Sequence, residues 1–430
     1  MKSRILAGMF ACVVGAAGAQ PALSAPTFKV LFNFSGSTNG ANPYGSMIQD
    51  RAGAFYGTTG SGGAHGNGTV YKLTPPAAGK TNWTETVLYS FKGGNDGQNP
   101  DGALLMDSSG ALYGTTQWGG IGGYNGTVFK LSPVAGTALW RETVIYRFRD
   151  KDGTDPVSTL TLGRSGVLYG TACGCGIGTQ SKGSVFQLTP PAAGAKAWTY
   201  SIIHAFTGGA DGGTPYPGVV RDASGALYGA TGGGGAQNAG TVYRLTPPKA
   251  GKTGWTETVL HSFTGKGDGA YPHGGLTRDA ATGALYGTTQ AGGAQPFGNG
   301  FGVVYKLAPP AVGSTAWGFT PLYRFKGNTD GAQPASGVIL DASGTIYGTT
   351  ALGGDLTGDC QLNGGCGVTY KLTPPAAGKT AWTETILHIF TNGKDGNGPW
   401  GGIWESKGTL YGTTELGGAH ASGVIYSITP

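Results

Sequence analysis

The chain has 430 residues, 85 of them glycine, and only 12% are charged. Glycine normally makes up about 7% of a chain; this excess, with 10% aromatics at fixed positions, excludes a disordered tract and points to many tight turns around a large core. The formal charge of +6 forms no basic cluster, so a nucleic-acid partner has no support.

The first segment reads as a secretory signal. Lys2 and Arg4 form a basic start, residues 5–17 an apolar run, and small residues follow. Ala17-Gly18-Ala19 fits cleavage after residue 19, and Ala25 offers a second site. The run is too short and too rich in glycine and alanine for a membrane anchor. Cys12 lies inside it, which argues against a lipoprotein. No later segment is apolar enough to span a bilayer. Residues 1–25 are therefore expected to be a signal peptide and residues 26–430 a single exported domain. Its charge, 26 basic against 22 acidic residues once Lys2 and Arg4 are removed, is +4.

The exported part repeats. Y-G-T-T or a near copy recurs seven times, at Tyr56, Tyr113, Tyr169, Tyr228, Tyr286, Tyr347 and Tyr411, with spacings of 57, 56, 59, 58, 61 and 64 residues. An Asp-Gly-x-x-Pro marker precedes each copy, from Asp96/Pro100 to Asp395/Pro399; in the first it is Asn39/Pro43. A tryptophan follows each of six loops: Trp83, Trp140, Trp198, Trp255, Trp317 and Trp382.

Each unit holds four strand-length segments bounded by Gly, Pro, Asp or Ser, with no helical period. In the fourth they are PGVVRD, ALYGAT, GTVYRL and WTETVLHSF. Four short strands in nearly sixty residues predict a propeller blade. The fold expected is all-β: a seven-bladed β-propeller with four antiparallel strands per blade. If the segment after the marker is the innermost strand A, the chain begins with a lone outer strand D, residues 28–34, and ends after strand C, residues 423–429. The N-terminal strand then completes the last blade, which also accounts for the absent seventh tryptophan.

After Cys12 is removed four cysteines remain, an even number in an exported chain. Cys360 and Cys366 flank a short loop and are disulfide candidates; a bridge between Cys173 and Cys175 would be strained. A four-cysteine zinc site is the alternative, at spacings that place the pairs three units apart. No metal or cofactor is expected.

The D–A and B–C loops share one face, called the top. A carboxylate ring is one reading of the marker aspartates; a turn device is the other and is preferred, because Asn39 keeps turn chemistry without charge. Unrepeated residues are better candidates for ligand binding. Tyr44, Trp118, Tyr124, Tyr216, Tyr271, Phe297 and Trp400 offer aromatic faces for a sugar ring or a partner, or tuck under neighbouring loops. His65 and His420 lie in B–C loops of units made adjacent by ring closure, and His273 lies in a D–A loop. His204, His261 and His388 replace a strand D tyrosine and read as structural. Arg221 and Arg278 align on strand A, where they meet an anion in the channel or pair with Glu405.

The repeat L-Y-G-T-T-x-x-G-G…G-T-V-Y-K-L-T-P resembles the GloVer-type tandem-repeat family, also called choice-of-anchor tandem-repeat proteins. Leu112 to Thr116, Gly119-Gly120 and Gly126 to Leu131 carry the match. The resemblance implies export and a propeller-like repeat, and implies no activity. The chain stops at Pro430 without the sorting anchor common in that family, so a secreted or periplasmic protein is expected. A monomeric, non-enzymatic module holding an extracellular carbohydrate or protein on its top face is the first expectation. The alternative is an extracytoplasmic lyase or hydrolase with a site at the channel mouth.

Overall fold

The computed structural model describes residues 25–149, 152–174, 182–293, 300–362 and 364–430. Nearly all of the expected signal peptide, with Cys12, lies outside these residues, as do Cys175 and Phe297.

Strand β1 (Thr27–Asn33) stands first and alone. Strands β2 (Ile48–Gln49), β3 (Phe55–Thr59), β4 (Thr69–Thr74) and β5 (Thr84–Ser90) then form one antiparallel sheet in chain order. Five more such sheets follow. The last contains β26 (Trp404–Ser406), β27 (Thr409–Thr414) and β28 (Val424–Thr429), with β1 as its fourth strand. Seven four-stranded sheets make a seven-bladed β-propeller. Blade 1 is β2–β5 and blade 7 is β26–β28 plus β1. Register runs antiparallel from Thr27 opposite Thr429 to Asn33 opposite Val424. The ring is closed by the N-terminal strand, as the phasing of the repeat requires.

The repeated residues hold blades together. The Tyr56 hydroxyl donates to Asp50 at 3.0 Å, and Tyr113 does the same to Asp107. The ring of each such tyrosine meets a tryptophan of the next blade: Tyr56–Trp140 and Tyr113–Trp198 centroids are both 6.4 Å apart. The first threonine of the pair reaches the next blade: Thr58 Oγ1 donates to the Gly102 carbonyl and Thr115 Oγ1 to that of Ser158, both at 3.2 Å. The second threonine binds strand C of its own blade, as Thr59 does with Thr69 at 2.9 Å.

The glycine between them is set by close approach. A Cβ on Gly229 would lie 2.3 Å from the Tyr243 hydroxyl, on a fully buried ring. Gly229→Ala is therefore expected to destabilise the protein by about 1–3 kcal/mol through overpacking, read by urea unfolding.

The marker is a turn device, in a form wider than an Asx bond to its own backbone. Asp96 accepts from the Lys92 N–H at 2.7 Å and from the Tyr89 hydroxyl of strand D at 2.8 Å. In two of the three blades where strand D carries histidine, the ring nitrogen takes that place: His261 Nε2 is 3.2 Å from Asp268 and His388 Nε2 is 3.0 Å from Asp395, while His204 Nε2 stays 3.7 Å from Asp211. In blade 7 the corresponding residue of β1 is Phe32, which has nothing to donate. There the acceptor is Asn39, bound by the Ser35 N–H at 3.0 Å. The carboxylate is absent where its strand D donor is absent. Gly97 follows with φ +99°, and a Cβ there would meet Thr116 Oγ1 at 2.6 Å.

The long B–C loop of blade 6 carries a short helix, α1 (Gly358–Leu362). The Cys360–Cys366 disulfide, with Cα atoms 5.1 Å apart, closes that loop. Cys173 is buried and also disulfide-bonded. Among the described residues no helix is long and apolar enough to cross a membrane.

Candidate functional site

The marker proline aims the chain at the axis, and the residue directly after it stands four positions before strand A. Across blades 1 to 7 that position holds Tyr44, Asp101, Val157, Tyr216, His273, Ala335 and Trp400. All seven line one cavity of about 280 Å³ at the centre of the top face. The next residue is small in six blades, because the segments crowd together there. A Cβ on Gly102 would lie 2.9 Å from the Ser158 carbonyl oxygen, and one on Gly401 3.2 Å from that of Gly45. The scaffold is therefore repeated on both sides of a position that varies.

One side of the cup is acidic. The Tyr44 hydroxyl donates to Glu415 Oε1 at 2.6 Å, across the ring seam. Burial raises the Tyr44 hydroxyl pKa, and its bond to Glu415 adds to the rise, so it stays a protonated donor. Burial pushes the Asp101 carboxyl up to about 7, and the charge of Glu415 adds to the shift. Asp101 Oδ1 is buried without a hydrogen-bond partner. Gly60 leaves room for it: a Cβ there would lie 2.7 Å away.

The other side is aromatic and neutral. Tyr216 and His273 face each other with ring centroids 4.3 Å apart at 36°. Burial lowers His273 to about 4, so its imidazole is uncharged near neutral pH. Gly232 opens the space beside it, since a Cβ would approach His273 Nε2 to 3.0 Å. Gln290 adds an amide and Trp400 an indole face. The cup thus offers three large rings, the Asp101 carboxyl and several neutral donors, with Glu415 bonded to the Tyr44 hydroxyl. Among the described residues no three His, Cys, Asp or Glu are grouped to hold a metal ion.

The structure gathers Tyr216 and Trp400, with Tyr44 and His273, into this cup. The other sequence candidates sit elsewhere. Trp118 is 38% exposed in its B–C loop, with a side-chain hydrogen bond to Asp155. Tyr124 is 65% exposed. Tyr271 packs against the core between blades 4 and 5. His65 and His420 are both exposed, and no hydrogen bond or ring contact joins them among the described residues. Arg278 lies over the Tyr228 ring, 5.9 Å from its centroid. Arg221 holds the equivalent place in blade 4, its Nη2 near Gly225 in the A–B turn. Neither arginine forms an ion pair with Glu405 among the described residues; Glu405 accepts from the Gly408 N–H instead.

Sequence reasoning missed Asp101, Gln290 and Glu415. Two columns of the repeat contain them: the residue after the marker proline, and the residue after Y-G-T-T (Gly60, Gln117, Cys173, Gly232, Gln290, Ala351 and Glu415). Both columns vary between otherwise constant neighbours.

The family model described as the Gloeobacter/Verrucomicrobia repeat matches residues 20–197 and 176–360. Among solved structures, the chain is similar to PorZ, an essential bacterial surface component of the type-IX secretion system of Porphyromonas gingivalis. That likeness has a TM-score of 0.52 at 12% identity and covers 90% of this chain. The chain spans 46% of the length of that component. A protein of unknown function from Dyadobacter fermentans is similar with a TM-score of 0.42 at 13% identity, covering 86% of this chain and 100% of that one. A glucose dehydrogenase is similar with a TM-score of 0.43 at 15% identity, covering 93% and 98% respectively. No curated protein matches the sequence. At these identities the structural likenesses show the propeller fold alone.

Proposed function

The chain belongs to the Gloeobacter/Verrucomicrobia repeat family, and from that premise we propose that it is a non-enzymatic binding module of the cell exterior, holding an extracellular carbohydrate in its top-face cup. One observation carries the reading. The position after each marker proline varies between constant neighbours, and in all seven blades it supplies its side chain to one shared cavity, aromatic and hydrogen-bonding groups among them. Aromatic rings stack on the apolar faces of sugars, while carboxyl, hydroxyl and amide groups bind sugar hydroxyls. The disulfides fit an oxidising compartment, and export through the N-terminal signal belongs to the same proposal. A protein segment is the alternative occupant.

A glycan array probed with residues 26–430 tests the reading. Trp400→Ala and Tyr216→Ala are expected to weaken retention of the best ligand by about tenfold or more each, one lost stacking face being worth roughly 1–3 kcal/mol. Trp118→Ala, outside the cup, is expected to leave retention unchanged. No retention on any glycan, or equal loss in all three variants, would overturn the reading. The Asp101 carboxyl, held near 7 beside Tyr44 and Glu415, favours a second reading as a lyase or hydrolase. Cleavage products in the same samples, abolished by Asp101→Asn, would replace binding with catalysis.

A further inference from the structure

On the opposite face, at the seam of blades 4 and 5, lies a second cavity of about 560 Å³. Its walls come from A–B turns and a C–D loop, the connections that lie away from the cup. In three other blades one cation from strand C covers the Y-G-T-T tyrosine. Lys72 lies 5.4 Å from the Tyr56 centroid, Lys130 5.1 Å from Tyr113 and Lys306 5.5 Å from Tyr286. One cation per tyrosine is therefore scaffold.

At Tyr228 there are two, and both are arginines. Arg244 of strand C is 5.7 Å from the ring centroid, and Arg278, from strand A of the next blade, is 5.9 Å. Nε of each is buried with no hydrogen-bond partner. No other seam has this pair: the strand C position elsewhere holds Lys, Gln or Ser, and the strand A position Gln, Met, Leu, Arg or Glu. Arg221 is matched with Gln187 on Tyr169 rather than with a second cation. Two carboxylates are close. Asp222 accepts from the Tyr228 hydroxyl at 3.0 Å. Burial opposes its ionisation, but bonds from Ser224, Tyr228 and Ala226, with the charge of Arg278, hold it below the usual carboxylate range. Asp279, next to Arg278 in the chain, accepts from the Thr282 hydroxyl of the cavity wall and is likewise held low. Among the described residues neither carboxylate forms an ion pair with Arg244 or Arg278, so both guanidinium groups remain open to an anion. Trp317 lines the same cavity, its ring edge-on to Tyr228 at 6.1 Å.

We propose that this cavity binds an anionic sugar unit, a pyranose bearing a carboxylate or a sulfate ester. Guanidinium donors in a planar fork match such an anion with paired hydrogen bonds. Trp317 supplies a face for the ring, and Thr258 a hydroxyl at the wall. The cavity is of a size that takes one or two sugar units. The site is independent of the cup.

Calorimetric titration of residues 26–430 tests it with a glucuronate-containing disaccharide, a sulfated disaccharide, a neutral glucose disaccharide and inorganic sulfate. At least one charged sugar is expected to bind about tenfold or more tightly than both the neutral sugar and inorganic sulfate. Which charged sugar binds identifies the anion. Arg244→Lys and Arg278→Gln install residues that the repeat itself uses, at Lys72 and Gln49, so the fold is kept. Each is expected to cost about tenfold in affinity, while Trp400→Ala costs none. Equal binding of neutral and charged sugars, equal binding of inorganic sulfate, no binding at all, or unaltered affinity in both arginine variants would overturn the proposal. Failure of the glycan array with the charged-sugar result intact would remove only the cup reading.

Discussion

A chain lacking residues 1–34 is expected to lose its cooperative thermal transition, or to melt at least about 10 °C below a chain lacking residues 1–26. The difference is β1. It pairs with β28 along its length and puts Phe34, fully buried, into the interface between blades 7 and 1. Phe28 stacks on His388 with centroids 3.7 Å apart and also meets Tyr426 and Phe390, which ties blade 7 to blade 6. Phe32 and Val30 are half-buried beside them. Burying one such side chain fully and three by half is worth roughly 4–8 kcal/mol, against a typical domain stability of about 5–15 kcal/mol. The deletion also bares the edge of β28. Phe34→Ala alone is expected to cost about 3–5 kcal/mol. Differential scanning calorimetry of the two truncations decides the matter, and equal, small shifts would refute closure by this strand. The cup depends on the same seam, because Tyr44 of blade 1 reaches Glu415 of blade 7 only when the ring is shut.

That seam shows why the fold was legible and the cup only partly so. Seven copies of four strand-length segments admit few architectures, and the orphan strand at one end fits the gap at the other. Such reasoning needs only order along the chain. The cup depends on radial position, which the sequence states less directly. Trp118 and Tyr216 both lie in top-face loops, yet only Tyr216 directly follows a marker proline and so faces the axis. Asp101 reads as an ordinary polar loop residue, because its burial and the nearby charge of Glu415 arise only when the ring brings blades 2 and 7 together. His65 and His420 illustrate the converse. Alignment makes them equivalent, but both side chains stay exposed on loop tips, where equivalence places nothing between them. Arg221 and Arg278 align on strand A in the sequence, yet only at Arg278 does strand C of the neighbouring blade add a second arginine, Arg244, to the same tyrosine.

The protein is also expected to be most stable in mildly acidic solution and to lose stability as pH rises towards 8. Glu85, Glu142, Glu257 and Glu384 stand on strand D, facing neighbouring blades, and each has a buried Oε1 without a partner. Burial raises each to about 7. The marker carboxylate across the seam adds to the rise for three of them, Asp96 to Glu142, Asp211 to Glu257 and Asp330 to Glu384; for Glu85 the repeat places uncharged Asn39 there, and burial acts alone. With Asp101, five carboxyls are raised to about 7 and bind protons more tightly folded than unfolded; burial raises Asp155 as well. The stabilisation from the five is fully present below about pH 4 and is lost as pH rises through 7. Two lowered histidines, His204 and His273, act oppositely, losing stabilisation as pH falls below about 6.5. Asp107, Asp222 and Asp341 resist ionisation through burial, but turn hydrogen bonds outweigh it and hold them low, so their contribution is lost only as pH falls below about 4. Between pH 6.5 and 8 only the five carboxyls change, and partial exposure of the glutamates reduces each effect below its full linkage value. A fall in melting temperature of about 5 °C between pH 5.5 and pH 8 is expected. Glu142→Gln and Glu384→Gln together should flatten that fall by raising the melting temperature at pH 8 while leaving pH 5.5 nearly unchanged. A melting temperature that rises between pH 6.5 and pH 8 would show these glutamates ionised in the native ring.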